Sequence, residues 1–217
     1  MSYEPLDQKA YKHLLNMILN DQLDHNTIYS ETRLSKELEV SRTPMRAALN
    51  RLTQERYIDV IPNKGFQLHR MTEKDVVETF QIRSAIEGFC TSHIANEYEN
   101  YGNLFTELEE LLQHQRKVIS EKGTIEEFFK YDQKFHQLII SSIDNETFNK
   151  LFNRYIFTMR TLALSSLRHE GRMEEALEEH TNILKAMKDG DRFSVYPVTL
   201  KHMDNPKSIN LGDILSK

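Results

Sequence analysis

Four side chains in the second half of the sequence are of the types that bind metal ions. Asp132 and His136 lie four residues apart, so both project from one face of the same predicted helix. His180 follows on a later predicted helix and His202 lies near the end of the chain. Three imidazoles and one carboxylate suit Zn, Ni, Mn or a similar divalent ion, and a helical bundle can collect such ligands from facing helices. The chain has nine histidines, however, so chance spacing of an aspartate and a histidine is the competing interpretation.

A second group of side chains is of the type that reads DNA. A predicted helix begins with Arg42 and Thr43 and carries Arg46 four residues on, on the face of Arg42. A recognition helix enters the major groove N-terminus first, arginine can donate two hydrogen bonds to guanine, and free amides with a hydroxyl suit a phosphate. The alternative is that Arg42, Arg46 and Arg51 form only a solvated helix face.

The surrounding elements favour the DNA-reading interpretation. Helical periodicity over residues 5–23 and 31–39 precedes the arginine-led helix, which runs to about Gln54, with Ser41 or Thr43 expected to cap its start. Two strand-like runs, 57–61 and 65–68, follow and are joined by a Pro-Asn-Lys-Gly turn that puts Lys64 at its tip. Three helices and a hairpin within about 70 residues are typical of a winged helix-turn-helix.

The rest of the chain predicts an antiparallel all-helical bundle, so the fold class is mostly α. The boundary falls near residues 69–72, which gives domains 1–70 and 71–203 and a loosely held tail, 204–217. Pro197 is compatible with a short helix over 195–203 only if it lies in the first turn. The predicted helices of the bundle are 73–98, 103–121, 124–143, 146–168 and 172–189.

Composition and charge limit the compartment and the partners. Net charge is −5, yet residues 1–70 hold ten Lys/Arg against nine Asp/Glu, so the front part is less acidic than the rest. The single cysteine, Cys90, cannot form an internal disulfide, and neither a secretory signal nor a membrane-spanning run is evident. We therefore expect a cytoplasmic protein with no membrane partner.

The stretch from Leu34 to Leu52 resembles the GntR family of bacterial regulators. The downstream Tyr57-Ile58 and Pro62-Asn63-Lys64-Gly65-Phe66 are similar to the wing of that family. The resemblance implies that Arg42, Thr43 and Arg46 contact DNA, with Lys64 and Gly65 in the wing. The family often has arginine at the place of Thr32, so either the neighbouring Arg33 replaces it or this phosphate or base contact is missing.

The second domain resembles the FCD effector domain of the FadR-like branch of the GntR family. The resemblance rests on the runs Arg83–Glu87, Phe128–His136, Glu179-His180 and Gly190-Asp191 with a histidine eleven residues on. It implies a divalent metal held by one aspartate and three histidines, a small carboxylate effector near Arg83, and a homodimer on a palindromic operator. Arg83 has a second interpretation, as the intrahelical partner of Glu87. The metal ligands implied by the resemblance are Asp132, His136, His180 and His202.

Three functions compete at this point. The first is a ligand-responsive DNA-binding regulator, most simply a repressor, with a metal in its helical domain. The second is the same regulator sensing its ligand in an apolar pocket without metal. The third is a metalloenzyme using Asp132, His136 and His180, but it lacks an evident general base and leaves the arginine-led helix unexplained, so we predict no enzymatic activity.

Overall fold

The computed structural model describes residues 4–20, 22–24 and 26–216 and divides the chain into two compact units, Met1–Met71 and Thr72–Lys217. Among the residues described, the front unit contains three helices and a hairpin, and the back unit contains helices and no strand. The predicted class, a mostly α protein with a winged helix-turn-helix ahead of a helical bundle, is confirmed. Among the described residues, no helix is long and apolar enough to cross a membrane.

The front unit is built around the packing of its first and third helices. Leu14 of the first helix and Met45 and Leu52 of the third are fully buried, at the helical spacing that the sequence predicts. Val40, in the turn between the second and third helices, is also buried and ties that turn to the core. The elements are α1 (Leu6–Leu19), α2 (Glu31–Glu37), α3 (Arg42–Gln54), β1 (Ile58–Ile61) and β2 (Gly65–Leu68).

The two strands form an antiparallel hairpin that is anchored to the chain ahead of α2. Ile58 pairs with Leu68 and Ile61 with Gly65. Tyr29 adds an isolated bridge, because its N–H donates to the Phe66 carbonyl at 2.7 Å and its carbonyl accepts from the Phe66 N–H at 3.0 Å. The hairpin is therefore held to the helices by backbone hydrogen bonds as well as by the buried Phe66 ring.

The helices of the back unit begin where the sequence supplies caps. Thr72 accepts from the Asp75 N–H while the Asp75 carboxylate accepts from the Thr72 N–H, which is a capping box. Thr124 and Glu127 form a second capping box. The helices are α4 (Glu73–Asn96), α5 (Gly102–Ser120), α6 (Ile125–Ser141), α7 (Glu146–Arg154), α8 (Ile156–Leu167), α9 (Arg172–Lys188) and α10 (Val195–Leu215), with a short 3₁₀ turn over Tyr98–Tyr101.

Two predictions about the back unit are wrong. The single helix predicted over 146–168 is broken at Tyr155, which ends α7 and precedes α8. The predicted tail after residue 203 is helical, because α10 continues to Leu215. Tertiary packing holds this segment, since Pro206 and Asn210 are buried and Asn210 Nδ2 donates to the carbonyls of Leu162 on α8 and of Pro206.

The start of α10 agrees with the milder interpretation of its proline. Pro197 is the third residue of the helix, in the first turn, where its missing N–H has no intrahelical partner to lose. His202 is consequently carried on regular helix, one turn before Pro206.

Candidate metal centre and candidate nucleic-acid interface

The leading turn of α3 presents its polar side chains to solvent. Arg42, Thr43 and Arg46 are exposed, while Met45 and Ala48 on the opposite face are buried in the core. Ser41 occupies the N-cap position but its hydroxyl makes no capping hydrogen bond, contrary to one of the two caps predicted. The start of α3 is therefore available to a phosphate or a base edge.

The exposed arginines differ in their partners. Arg46 Nε donates to Glu31 Oε1 at 3.0 Å across to α2, and Arg33 Nε donates to Glu37 Oε1 at 2.8 Å within α2. Arg42 makes no ion pair with any residue that the structure describes. Arg42 is thus the arginine of this face that needs no rearrangement to meet an anion.

A groove of about 430 Å³ separates α3 from the hairpin. Arg46 and Asn50 line it from the helix, and Lys64 and Gly65 line it from the hairpin. Lys64 is exposed at the tip, as its sequence position predicts.

The backbone conformation at position 65 explains why this residue is a glycine. Its φ is +134°, and a Cβ built on it would lie 2.0 Å from the carbonyl oxygen of Tyr29. Glycine at this position permits the Tyr29 bridge, so its contribution is to hold the hairpin rather than to supply a contacting side chain.

Arg51 has a structural role in the front unit. Its guanidinium carbon lies 3.7 Å from the centre of the Tyr11 ring, and its Nε donates to Glu55 Oε1 at 3.0 Å. The Tyr11 hydroxyl also donates to Glu55, at 2.5 Å. Arg51 therefore joins α1 to α3 and is not part of the exposed face formed by Arg42 and Arg46.

The three histidines of the proposed metal set come together in the back unit. His136 on α6, His180 on α9 and His202 on α10 are all buried, and their ligand nitrogens lie within 4.8 Å of one another. Asp132 projects from the same buried stripe of α6 as His136. Its Oδ1 lies 3.5 Å from His180 Nε2 and 4.0 Å from His136 Nε2. The fourth predicted ligand therefore faces the same point as the histidines.

Each histidine is oriented by a partner at its Nδ1 atom. His136 Nδ1 lies 2.5 Å from Glu87 Oε2, and His202 Nδ1 lies 2.7 Å from Glu179 Oε2. His180 Nδ1 lies 3.0 Å from Gln115 Oε1. All three partner oxygens are acceptors, so the neutral imidazoles carry their protons on Nδ1.

The Nε2 atoms of the three rings consequently carry lone pairs, and these lone pairs point toward one another with no proton donor between them. His136 Nε2 and His202 Nε2 are 3.2 Å apart, and His180 Nε2 is buried with no hydrogen-bond partner among the described residues. Two nitrogen ligands bound at about 2.0–2.1 Å to one tetrahedral ion would be roughly 3.3 Å apart. The donor set and its spacing therefore fit a divalent cation, and the Nδ1 partners are the outer interactions that such a site requires.

Burial favours the neutral form of His180 and His202, whereas neighbouring cationic groups keep Glu87 and Glu179 ionised. Burial, reinforced by His202 and His136, lowers the pKa of His180 well below its usual value. Burial also lowers the pKa of His202, although Glu179 opposes the shift. Burial by itself would raise the pKa of Glu87, but Arg83 and His136 bring it down to about 2. Burial would likewise raise the pKa of Glu179, but His202 and Arg172 bring it down to about 2.

A small cavity adjoins the histidines. Its volume is about 20 Å³, enough for about one water-sized group. Arg83 lines this cavity, and its Nε donates to Glu87 Oε1 at 2.8 Å. The sequence left the position at the pocket and the intrahelical pair with Glu87 as alternatives, and the structure contains both. Arg172 lines the same cavity.

Sequence reasoning missed four residues of this site. Glu87 was visible only as the partner of Arg83, and Glu179 only as the neighbour of His180 in sequence. Gln115 and Arg172 carry no local signal, because they reach the site from α5 and from the first residue of α9. Only the packing of the bundle brings them to the histidines.

Each of the two units matches the model of a known protein family. The family model described as "Bacterial regulatory proteins, gntR family" matches residues 6–68, and the model described as "FCD domain" matches residues 78–205. The FCD match alone spans more than half of the chain. This chain belongs to the GntR family of bacterial transcriptional regulators, in the group whose second domain is FCD.

Named relatives are similar over most of their length. The gluconate operon transcriptional repressor of Bacillus licheniformis is 29% identical over 180 residues, which cover 81% of this chain and 72% of that protein. The transcriptional repressor RspR of Escherichia coli K12 is 26% identical over 203 residues, which cover 92% and 86%. The solved structure of E. coli McbR/YncC superposes with a TM-score of 0.69 at 20% identity and covers 99% of each chain, which shows the shared fold. The chain is a DNA-binding transcriptional regulator and not an enzyme.

Proposed function

We propose that this protein is a repressor that binds a palindromic operator as a homodimer and responds to a small carboxylate at a metal centre in its helical unit. The observation that carries the sensing half is the convergence of three unprotonated Nε2 atoms and a carboxylate oxygen with no proton donor between them. Asp132, His136, His180 and His202 would hold the ion. When bound, a divalent ion supplies a Lewis-acidic position to which a carboxylate can coordinate.

The DNA-reading half is assigned to the exposed face of α3 and the hairpin tip. Arg42 and Arg46 would reach base edges, and Thr43 with the free amides of the helix start would bind a phosphate. Lys64 would contact the backbone beside the groove. We assign a phosphate contact to Arg33, and this contact would require its ion pair with Glu37 to break.

A two-fold dimer matches a palindrome because each copy presents one α3 to one half-site. Effector binding that favours one arrangement of the bundle would change operator affinity by about 5–150-fold, the range for a coupling of ~1–3 kcal/mol. Two relatives are named transcriptional repressors, which supports repression. We infer that the effector relieves it. A regulator that senses its ligand without metal is the alternative, and it is an outcome of the metal analysis described below.

The direct test of DNA reading is fluorescence anisotropy with a duplex carrying the region upstream of the gene. We expect Arg42→Ala and Arg46→Ala each to weaken binding about 5-fold or more, since a bidentate arginine–guanine contact contributes ~1–3 kcal/mol. Lys117→Ala, which removes an exposed lysine of the helical unit, is the matched control and should bind like the wild type. Unchanged affinity in both arginine variants would overturn the assignment of α3.

A further inference from the structure

The three buried histidines differ in the kind of group that contacts Nδ1. His136 and His202 each contact a glutamate carboxylate that is also paired with an arginine. An ionised carboxylate only accepts hydrogen bonds, so it holds the proton of its histidine on Nδ1 with or without a metal. His180 contacts instead the side chain of Gln115, a neutral amide that is completely buried.

An amide can present either of its polar atoms to an imidazole. With Gln115 Oε1 at 3.0 Å from His180 Nδ1, the ring carries its proton on Nδ1, and its Nε2 lone pair faces the other metal ligands. If the amide turns by about 180°, Gln115 Nε2 becomes the donor to His180 Nδ1, and the ring proton then belongs on Nε2. Gln115 is therefore compatible with both neutral tautomers of His180, which a carboxylate is not.

The first of these arrangements leaves three neighbouring groups without hydrogen-bond partners. Among the described residues, Gln115 Nε2 and His180 Nε2 are buried and unpaired, and the buried Asp132 carboxylate accepts no hydrogen bond. Asp132 Oδ1 lies 3.5 Å from His180 Nε2, so a proton on that nitrogen reaches it after a small side-chain movement. The second arrangement pairs all three groups and, of this set, leaves the Gln115 carbonyl oxygen without a donor. Because unpaired buried polar groups are destabilising, the second arrangement is favoured when no cation is bound.

We propose that Gln115 is a positioning residue that lets His180 change tautomer when the metal ion binds. This inference rests on the metal centre proposed above. In the metal-free protein, the Gln115 amide donates to His180 Nδ1, and His180 Nε2 donates to Asp132. Coordination needs the Nε2 lone pair, so the Nε2 proton leaves to water, Nδ1 takes up a proton from water, and the amide turns to present Oε1. The imidazole is neutral before and after the exchange.

This exchange lowers the apparent affinity for the ion. When only a fraction of the molecules is ready to bind, the apparent dissociation constant rises by the inverse of that fraction. With about one molecule in ten ready, it is about 10-fold higher than for a histidine whose proton stays on Nδ1. Gln115 thus sets the metal concentration at which the site fills, and an acceptor-only side chain in its place would lower that concentration.

The test records the tautomer of His180 directly in the full-length protein. Long-range ¹⁵N–¹H correlation spectra of protein labelled with ¹⁵N-histidine distinguish Nδ1–H from Nε2–H rings, and His180→Asn identifies the His180 signals by their loss. We expect His180 to be Nε2–H in chelator-treated protein and Nδ1–H after loading with Zn²⁺. His136 and His202 should be Nδ1–H in both states, which makes them internal controls.

Gln115→Glu tests the effect on affinity. Its carboxylate only accepts, so His180 should be Nδ1–H even without metal, and Zn²⁺ should bind about 10-fold more tightly in titrations against a competing chelator. Gln113→Glu adds the same charge at an exposed position of α5 and is the control, with the tautomers and the Zn²⁺ affinity of the wild type.

The outcomes separate this inference from the metal proposal. A wild-type protein that binds no Zn²⁺ would overturn both. Zn²⁺ binding by a protein whose His180 is Nδ1–H with and without the metal would overturn the role of Gln115 and leave the metal centre standing. Equal Zn²⁺ affinity in the wild type and Gln115→Glu would do the same. If Gln115→Glu fails to fold, the tautomer of His180 in the wild type decides the question.

Discussion

The Nε2 atoms of His136 and His202 face each other at 3.2 Å, and each ring is held in that orientation by a glutamate at its Nδ1. Because both protons lie on Nδ1, no hydrogen bond can join the two Nε2 atoms, and their lone pairs repel unless a cation lies between them. The relationship connects α6 to α10, so a cation at this point would cross-link two helices of the bundle.

Metal binding should therefore stabilise the helical unit. At a free Zn²⁺ concentration 100 times the dissociation constant, the expected gain in unfolding free energy is about 2.7 kcal/mol, or a rise of roughly 5–10 °C in melting temperature. His202→Ala should abolish the rise. His114→Ala is the matched control, because His114 is exposed and stacks on Tyr131 away from the other histidines, and it should keep the rise. A Zn²⁺ effect that is equal in the wild type and His202→Ala would contradict the assignment.

The metal-free protein should lose stability in two pH ranges. The pKa of His180 is lowered by burial, so the unfolded state binds more protons than the folded state below about 6.5, and stability falls as the pH decreases below that value. His202 contributes with the same sign. The pKa values of Glu87 and Glu179, near 2 in the folded state, add a further loss only as the pH falls below about 4.5.

Urea unfolding at pH 7.5 and 5.5 measures the first of these ranges. We expect a lower midpoint at pH 5.5 for the wild type and a smaller difference for His180→Asn, whose amide can still donate to Gln115. A midpoint that is equal or higher at pH 5.5 in the wild type would show that His180 is not held neutral by burial.

The hairpin depends on the missing side chain of Gly65. Gly65→Ala should destabilise the hairpin by on the order of 1–3 kcal/mol, because φ is +134° and the new Cβ would collide with the Tyr29 carbonyl. Hydrogen exchange of the Tyr29 and Phe66 amides should accelerate. Gly102→Ala, at the start of α5 with open space around it, should leave these amides protected and be neutral or stabilising. Full protection of both amides in Gly65→Ala would show that the bridge does not depend on glycine.

If Arg46 contacts DNA as proposed, its ion pair with Glu31 competes with that contact. Replacing Glu31 with glutamine releases the guanidinium and removes a negative charge from the groove between α3 and the hairpin. Operator affinity in Glu31→Gln should rise by up to about fivefold at low salt, which corresponds to an exposed ion pair of at most ~1 kcal/mol. Glu121→Gln, from an exposed ion pair of the helical unit, should leave affinity unchanged. Weaker binding in Glu31→Gln would mean that Glu31 orients Arg46 for DNA instead of competing for it.

The sequence predicted the winged unit well because local signals specify it. The apolar spacing of Leu14, Met45 and Leu52 and the turn chemistry before Gly65 each act over a few residues. The ion pair between Arg46 and Glu31 was not predictable, since it joins residues fifteen apart on different helices.

The helical unit was predictable in outline and less so in its contacts. The sequence has a capping threonine at Thr72 and glycines between several of the helices, but the break at Tyr155 has no glycine or proline to mark it. The polar run after Met203 gave no helical signal, and packing against α8 holds it as a helix. For the same reason, the spacing of Asp132 and His136 indicated a shared face, whereas Gln115 and Arg172 became visible only once the helices were assembled.

The most direct test of the account is the metal content of the purified chain after loading with Zn²⁺ and removal of the excess. Elemental analysis should find one metal ion per chain in the wild type and in His114→Ala, and almost none in His180→Asn or His202→Ala. A folded wild-type protein that retains no metal, with operator binding that is indifferent to a chelator, would contradict the metal centre and favour a regulator that senses its ligand without one.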